Sequence, residues 1–282
     1  MSGVSGPDFV IAGTQKTGTT WLYRGLREHP DVLMPHKDGH NIDSINYFDG
    51  LNYHRGREWY LSHYDHYDGE SVVGEETPSY IRSHAAPRRL ADDDPDVQLL
   101  FCVRDPIRRA FSHYWHLKGR DKVAVSFETA LHSPDFYRNW IVPGFYHQHI
   151  QRYREYFDDD QITVLFFDDL VSDDEAYLRG VYDLVGVDSA FDPSILDRRV
   201  NEARATGQYY ELLMHHFTNV APRSVIEAVR PLHDTVQNAL MTTTEYDEGP
   251  SAKMQAELAE IYREDVSGLE EYTGRNLDHW LD

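Results

Sequence analysis

The stretch Phe9-Val-Ile-Ala-Gly-Thr-Gln-Lys16-Thr-Gly-Thr-Thr-Trp21 joins a short apolar run to a segment of glycines, hydroxyls and one lysine. The apolar run Phe9–Ala12 is continuous, which is typical of a strand buried on both faces of a parallel sheet. A helical pattern over Thr19–Glu28 follows it. Such a loop between a strand and a helix N-terminus presents backbone N–H groups to an anion. The stretch therefore predicts a phosphate-binding loop that contains Lys16.

The same alternation of apolar runs and helical patterns continues along the chain. Further strands are predicted at Val72–Gly74, Leu99–Val103 and Ile162–Phe167. Helices are predicted at Ile107–Leu117, Phe145–Phe157, Asp174–Val185, Pro222–Ala239 and Ala252–Leu269. This order predicts a three-layer α/β fold, with a central parallel sheet, helices on both faces and a P-loop-like first βα loop. No linker interrupts the pattern, so we expect a single domain over 1–282 whose ligands bind beyond the carboxyl ends of the strands.

Composition excludes several classes of protein. The 282 residues are 40% hydrophobic and carry a net charge of −21, with 30 Asp, 18 Glu, 22 Arg and 5 Lys. So acidic a surface repels nucleic acid, and it is a known device of halophilic proteins, so we expect no nucleic-acid partner and a halophilic source. Cys102 is the single cysteine, which excludes an intramolecular disulfide and a Cys-based zinc site. Without a long apolar run we expect no transmembrane segment and a cytoplasmic location; oligomeric state does not follow from the sequence.

Two other interpretations of the first loop compete with a phosphate site built around Lys16. A nucleoside-triphosphate P-loop needs Lys directly after its second glycine, but Thr19 follows Gly18 here. An ordinary βα turn in which Thr19 or Thr20 caps the helix is the other alternative. The lysine inside the loop, Lys16, favours a phosphate site of a different type.

A second motif, Arg104-Asp-Pro-Ile-Arg-Arg-Ala-Phe-Ser112-His-Tyr114, follows the strand predicted at Leu99–Val103. Asp105 is suited to cap the next helix and Pro106 to occupy its first turn, so Arg104 projects from the strand end. Ser112 lies about two helical turns further on and faces the start of the helix. Arg104 and Ser112 together predict a second, separate phosphate site. The alternative is a structural Arg–carboxylate pair beside an ordinary helical serine.

Together, the two motifs resemble those of the sulfotransferase superfamily. Further segments also resemble the superfamily: Leu26–Val32, Tyr47–Asp49, Asn52–Leu61, Glu75–Tyr80 and Thr273–Trp280. The middle segments among them are most similar to its heparan-sulfate and bacterial carbohydrate branch. The resemblance implies that the protein transfers a sulfuryl group from 3′-phosphoadenylyl sulfate to a hydroxyl acceptor, a carbohydrate or glycolipid. It also implies that no metal is required.

The resemblance assigns roles to individual residues. Lys16 matches the lysine that contacts the leaving phosphate, and Arg104 and Ser112 match the pair that binds the 3′-phosphate. The cradle of the 5′-phosphosulfate matches Thr17, Gly18, Thr19 and Thr20. Trp21 matches an aromatic residue that stacks on adenine in some members, and a core tryptophan is the alternative. Arg204 matches a late basic residue that closes over the donor.

The general base is the point at which the chain departs from the branch. Ser44 stands where the branch has its catalytic glutamate, so we expect neighbouring Asp43 to be the base. The other candidates are Glu75, Glu76, His36 and His40. Two other functions remain open at this point: a P-loop kinase or phosphotransferase, and a non-catalytic glycan-binding protein on the same scaffold.

Overall fold

A parallel β-sheet forms the centre of the protein, whose computed structural model describes residues 3–35, 44–118, 122–123, 125–197 and 249–282. Within these residues the sheet has five strands in the order β2-β3-β1-β4-β5, all parallel. The strands are β1 (Phe9–Gly13), β2 (Val32–Leu33), β3 (Val72–Glu76), β4 (Gln98–Val103) and β5 (Ile162–Phe166). Because β1 lies between β3 and β4, the segments that leave these strands emerge side by side at one edge.

The apolar runs predict four of these strands with small differences at their ends. β3 continues past Gly74 because Val10 and Ile11 of β1 pair with Glu75 and Glu76, two carboxyl residues that an apolar pattern does not include. β5 ends at Phe166, one residue earlier than predicted. β2 has no counterpart among the predictions because a strand of two residues is too short to show a period.

Helices pack on both faces of this sheet. They are α1 (Thr19–Glu28), α2 (Arg57–Leu61), α3 (Ala86–Asp93), α4 (Pro106–Lys118), α5 (Phe127–Leu131), α6 (Pro134–Phe136), α7 (Tyr146–Tyr153), α8 (Phe167–Ser172), α9 (Asp174–Val185) and α10 (Ala252–Thr273). α1 and α9 have the predicted bounds, α4 and α10 are longer, and α7 is shorter. The helix predicted at Pro222–Ala239 lies outside the described residues. None of the described helices has both the length and the apolar composition needed to cross a bilayer.

Two hydrophobic cores, one on each side of the sheet, confirm the three-layer prediction. Successive side chains of a strand point to opposite faces. Val10 and Ala12 of β1 pack into the core that α4, α7 and α10 cover, whereas Phe9 and Ile11 pack into the core of α1 and α9. The two faces of β1 are therefore both buried, as its uninterrupted apolar sequence requires.

The C-terminal segment fastens α8 to the rest of the molecule. Both terminal nitrogens of Arg275 donate to the carboxylate of Asp169, at 2.5 and 2.8 Å. Nε1 of Trp280 donates to Oδ2 of Asp168 at 2.9 Å, and the indole itself is buried. α8 begins directly after β5, so these contacts fix its position at the carboxyl edge of the sheet.

Candidate active site

The loop after β1 has the backbone shape of an anion-binding turn. Lys16 and Gly18 both have positive φ, at 72° and 86°. Thr17 Oγ1 donates to the carbonyl of Thr14 at 2.6 Å and closes the turn from inside. At Gly18 a Cβ atom would lie 2.5 Å from Leu170 Cδ2, so any other residue here requires the Leu170 side chain to move.

The start of α1 does not match the alternative in which Thr19 or Thr20 caps it. Gly18 is the N-cap, and no cap hydrogen bond from a side chain is found among the described residues. Thr19 and Thr20 are already helical, because the left-handed conformation that separates loop from helix falls on Gly18. The first-turn N–H groups are therefore left for an anion instead of a side-chain oxygen.

The loop after β4 confirms the local structure predicted around Arg104. Oδ1 of Asp105 accepts from the backbone N–H groups of Ile107 and Arg108, at 2.8 and 3.1 Å, and so caps α4. Burial raises the pKa of Asp105, and these hydrogen bonds act in the opposite direction. Ser112 lies on α4 and is buried.

The two motifs meet at Arg104. Its Nη1 donates to the backbone carbonyl of Lys16 at 3.4 Å. Its guanidinium also lies 4.4 Å from the centre of the Phe167 ring. The same ring would be 3.3 Å from a Cβ atom at Gly18. Phe167, the first residue of α8, is thus packed against both predicted anion sites.

A cavity of about 240 Å³ opens beside the phosphate-binding loop. Its lining includes Gln15, Arg82, His113, Phe136, Asn139 and Trp140. The rings of Phe136 and Trp140 stack at 4.3 Å, and Arg82 Nη1 donates to Asn139 Oδ1 at 3.1 Å. A wider groove of about 490 Å³ lies elsewhere, along α7, where Arg154 and Asp159 neutralise each other. The smaller cavity is the one adjacent to Lys16.

His113 is the titratable group whose environment in this cavity is most unusual. Burial is the largest cause that holds the pKa of His113 well below its ordinary value. Four neighbours lower it further, namely Arg109, Lys16, His116 and Arg82. The imidazole is consequently neutral at neutral pH, within the electrostatic influence of the Lys16 ammonium.

Glu75 and Glu76, two candidates for the general base, are buried at the end of β3. Glu75 accepts from the hydroxyls of Tyr60 and Tyr80, each at 2.6 Å, and from Thr77 Oγ1 at 2.8 Å. Tyr80 in turn accepts from the backbone N–H groups of residues 47 and 48. Glu75 therefore holds the Tyr47–Phe48 turn in place.

The remaining predicted site residues either lie outside the two loops or fall outside the described residues. Trp21 is 6% exposed and packs in the core beside Tyr177, with ring centres 6.3 Å apart. Ser44 is half-buried, and its carbonyl accepts from Asn46 Nδ2 at 2.7 Å. Asp43, His36, His40 and Arg204 lie outside the described residues. Among the described residues no group of three His, Cys, Asp or Glu side chains is arranged to hold a metal ion.

Phe167, Arg82 and His113 are site residues that sequence reasoning missed. Phe167 was assigned to the end of a strand, and Arg82 belongs to a 3₁₀ turn with no recognisable motif. His113 stands directly after Ser112, so the sequence shows its position, but not that its Nδ1 is buried or that four cations act on its ring.

The fold defines a class of protein: α/β proteins with a P-loop-like loop after the first strand, here joined by Arg104 to the loop that follows β4. The sulfotransferase domain family matches residues 6–206, and the chain belongs to that family. This confirms the resemblance drawn from the two motifs.

Relatives and solved structures agree with this membership. The chain is 32% identical over 194 residues to the bifunctional heparan sulfate N-deacetylase/N-sulfotransferase 4 of Mus musculus, a match that covers 64% of this chain and 22% of that protein. It is 30% identical over 194 residues to the human bifunctional heparan sulfate N-deacetylase/N-sulfotransferase 3, a match that covers 64% of this chain and 22% of that protein. The chain thus spans less than a quarter of the length of these relatives. A sulfotransferase from Alicyclobacillus acidocaldarius has the same fold, with a TM-score of 0.70 and 23% identity over 99% of this chain and 100% of that one.

Proposed function

We propose that residues 1–282 form one sulfotransferase domain that moves a sulfuryl group from 3′-phosphoadenylyl sulfate to a carbohydrate hydroxyl or amine. The observation that carries the proposal is the contact between Arg104 and the Lys16 carbonyl, 3.4 Å apart. It brings two anion motifs, separated by 88 positions in the chain, to one edge of the sheet. One donor molecule with phosphates at both ends of its ribose suits such a pair. A cytoplasmic location belongs to this proposal, and cell fractionation tests it.

The loop after β1 fits the 5′-phosphosulfate end of the donor. The uncapped start of α1 offers backbone N–H groups and a positive dipole end, and the positive φ of Gly18 turns the chain into the helix. Thr17, Thr19 and Thr20 belong to this cradle. Lys16 stabilises the negative charge that develops on the departing phosphate, which is the largest electrostatic demand of the reaction.

The loop after β4 fits the 3′-phosphate end. Asp105 caps α4 and so fixes the residue before it, Arg104, at the strand end. The Phe167 ring supports the guanidinium from one side. Arg104 and Ser112 then bind the 3′-phosphate. Arg204, which lies outside the described residues, is the residue proposed from the sequence to close over the donor.

The acceptor enters next to Lys16. The relatives are named as heparan sulfate N-sulfotransferases, which favours a glucosaminyl amine as the nucleophile. A hydroxyl remains the other acceptor group. Asp43 is the residue proposed from the sequence to receive the acceptor proton, and Trp21 the residue proposed to stack on adenine.

Two measurements test the function. The melting temperature should rise with adenosine 3′,5′-bisphosphate in the absence of magnesium. It should not rise with ATP and magnesium, whereas a kinase would be stabilised by that pair. Labelled sulfate should then pass from the donor to N-deacetylated heparosan or to hydroxyl-bearing glycans in a panel. Stabilisation by the bisphosphate without transfer to any acceptor would indicate a non-catalytic binding protein instead.

A further inference from the structure

The cavity beside the phosphate-binding loop contains a group to which the proposed function gives no role. His113 contributes its side chain to the wall formed by Gln15, Arg82 and Trp140. Nδ1 of His113 is buried and has no hydrogen-bond partner among the described residues. Buried polar atoms without partners are rare in native proteins and often mark a functional group.

Four positive groups act on His113. Arg109 and His116 belong to its own helix, Lys16 to the loop after β1 and Arg82 to the 3₁₀ turn after β3. The cavity lining also contains Gln15, Asn139 and Trp140, which are uncharged. Positive neighbours disfavour the imidazolium, so in the free protein the ring stays neutral and able to accept a proton but is a weak base.

We propose that His113, and not Asp43, accepts the proton of the acceptor group during sulfuryl transfer when the donor is bound. The proposal rests on the function proposed above. In the step, the acceptor oxygen or nitrogen forms a bond to sulfur while the bond from sulfur to the bridging oxygen of the donor breaks. The electron pair of that bond stays on the leaving phosphate, and the acceptor proton moves to the imidazole of His113.

The donor changes the basicity of His113 through its charge. Its phosphates and sulfate are negative groups placed against Lys16 and Arg104, so they offset the positive field that Lys16 exerts on the ring. A nearby anion favours the imidazolium. After the doubly phosphorylated product leaves, the cations again disfavour the imidazolium and the proton returns to water. Proton acceptance is thus confined to the protein with donor bound.

The first test measures the titration of His113 in the wild-type protein. NMR signals of ¹⁵N-labelled histidine rings are followed against pH with and without adenosine 3′,5′-bisphosphate, and the loss of one signal in His113→Gln assigns it. We expect the pKa of His113 to rise by about one pH unit or more in the complex. An unchanged pKa in a protein saturated with bisphosphate would overturn the proposal. Failure of the bisphosphate to bind at all would instead refute the proposed function.

The second test measures transfer. In His113→Gln the kcat for labelled sulfate should fall by about 100-fold or more, and the loss of rate seen at acidic pH in the wild type should disappear. Affinity for the bisphosphate should remain near that of the wild type. His54→Gln, which changes an exposed histidine, is the matched control. His113→Asn serves if the first variant does not fold. If His113→Gln keeps a near wild-type kcat and Asp43→Asn no longer loses rate at acidic pH, Asp43 and not His113 receives the proton.

Discussion

Nη1 of Arg104 donates to the backbone carbonyl of Lys16, so the guanidinium of one anion site is attached to the loop of the other. Both residues follow strands of the same parallel sheet, β4 and β1, which are hydrogen-bonded neighbours. The loop extends this pairing, because the N–H of Thr14 donates to the carbonyl of Cys102 at 2.8 Å. The distance between the two sites is therefore set by the sheet, not by flexible side chains.

Lys16→Met should abolish catalysis and leave the fold intact. Methionine keeps the length and the backbone restrictions of lysine at a position whose φ is 72°, so the change removes the ammonium with its charge and its N–H donors. We expect transfer of labelled sulfate to fall by about 100-fold or more, since an electrostatic contact to the leaving group has this magnitude. Lys253→Met, at an exposed position on α10, should have wild-type activity. A folded Lys16→Met protein with near wild-type turnover would contradict the mechanism.

Arg104→Ala should remove the preference for a 3′-phosphate. A charged hydrogen-bonding group contributes about 1.5–3 kcal/mol to binding, so the affinity for adenosine 3′,5′-bisphosphate should fall to that for adenosine 5′-phosphate. Isothermal titration calorimetry measures both ligands. Arg88→Ala, which removes an exposed arginine from α3, is the control. A variant at position 104 that still discriminates between the ligands would show that another residue binds the 3′-phosphate.

Gly18→Ala should destabilise the protein more than the same change at Gly186. Both glycines have positive φ, 86° and 80°, so both variants carry the backbone cost of alanine in that region. Only at Gly18 would the new Cβ contact a neighbour, Leu170, whereas nothing lies within 4 Å of the Cβ position at Gly186. Urea unfolding measures the loss of unfolding free energy in each variant. The difference between the two losses is the cost of the steric contact at Gly18, for which we expect about 1–3 kcal/mol. Equal losses of unfolding free energy in the two variants would mean that the Leu170 side chain moves aside without cost.

Glu75→Gln should lower stability, because an amide nitrogen cannot accept from the hydroxyls that Glu75 binds. Leaving buried hydroxyls without an acceptor costs about 1–3 kcal/mol, measured by chemical unfolding. Tyr80→Phe should have a similar effect, since it removes one of these hydroxyls and the acceptor of two backbone N–H groups. Glu155→Gln is an exposed control. A stable but inactive Glu75→Gln protein would instead support Glu75 as the general base.

Acid should destabilise the protein through His149. Burial and the charge of Arg152 lower the pKa of His149 to about 3. Arg152 can only donate, so Nδ1 of His149 accepts from it at 2.7 Å and Nε2 donates to the carbonyl of Val142 at 2.8 Å. The unfolded chain binds a proton near pH 6.5 and the folded one does not. Stability therefore falls by about 1.4 kcal/mol per pH unit below that value.

The measurement compares unfolding free energies of the wild type and His149→Gln between about pH 7 and pH 5. The variant should lose less stability over this interval. Asp265 acts in the opposite direction, because burial raises its pKa to about 6 and folding then favours its protonated form. The difference between the two proteins isolates His149, and equal slopes would contradict the assignment.

Residues close to a strand end could be interpreted from the sequence alone. Pro106 and Asp105 are local signals, and a cap forms wherever such residues meet a helix start. The continuous apolar runs of β1 and β4 indicated burial on both faces, which is a property of neighbouring residues in the chain. The sequence predicts the second phosphate motif for the same reason, but it does not predict the hydrogen bond from Arg104 to the Lys16 carbonyl, which joins distant parts of the chain.

The sequence by itself determined the class of fold, the two loops predicted to bind anions and the family, because each depends on residues within a few positions of one another. The tertiary structure decided that Glu75 is held by tyrosines, that Phe167 packs against both loops and that the half-buried His113 lies in a field of cations. Burial and electrostatic environment are sums over side chains from distant parts of the chain, brought together only when helices pack on the sheet. No local pattern carries that information.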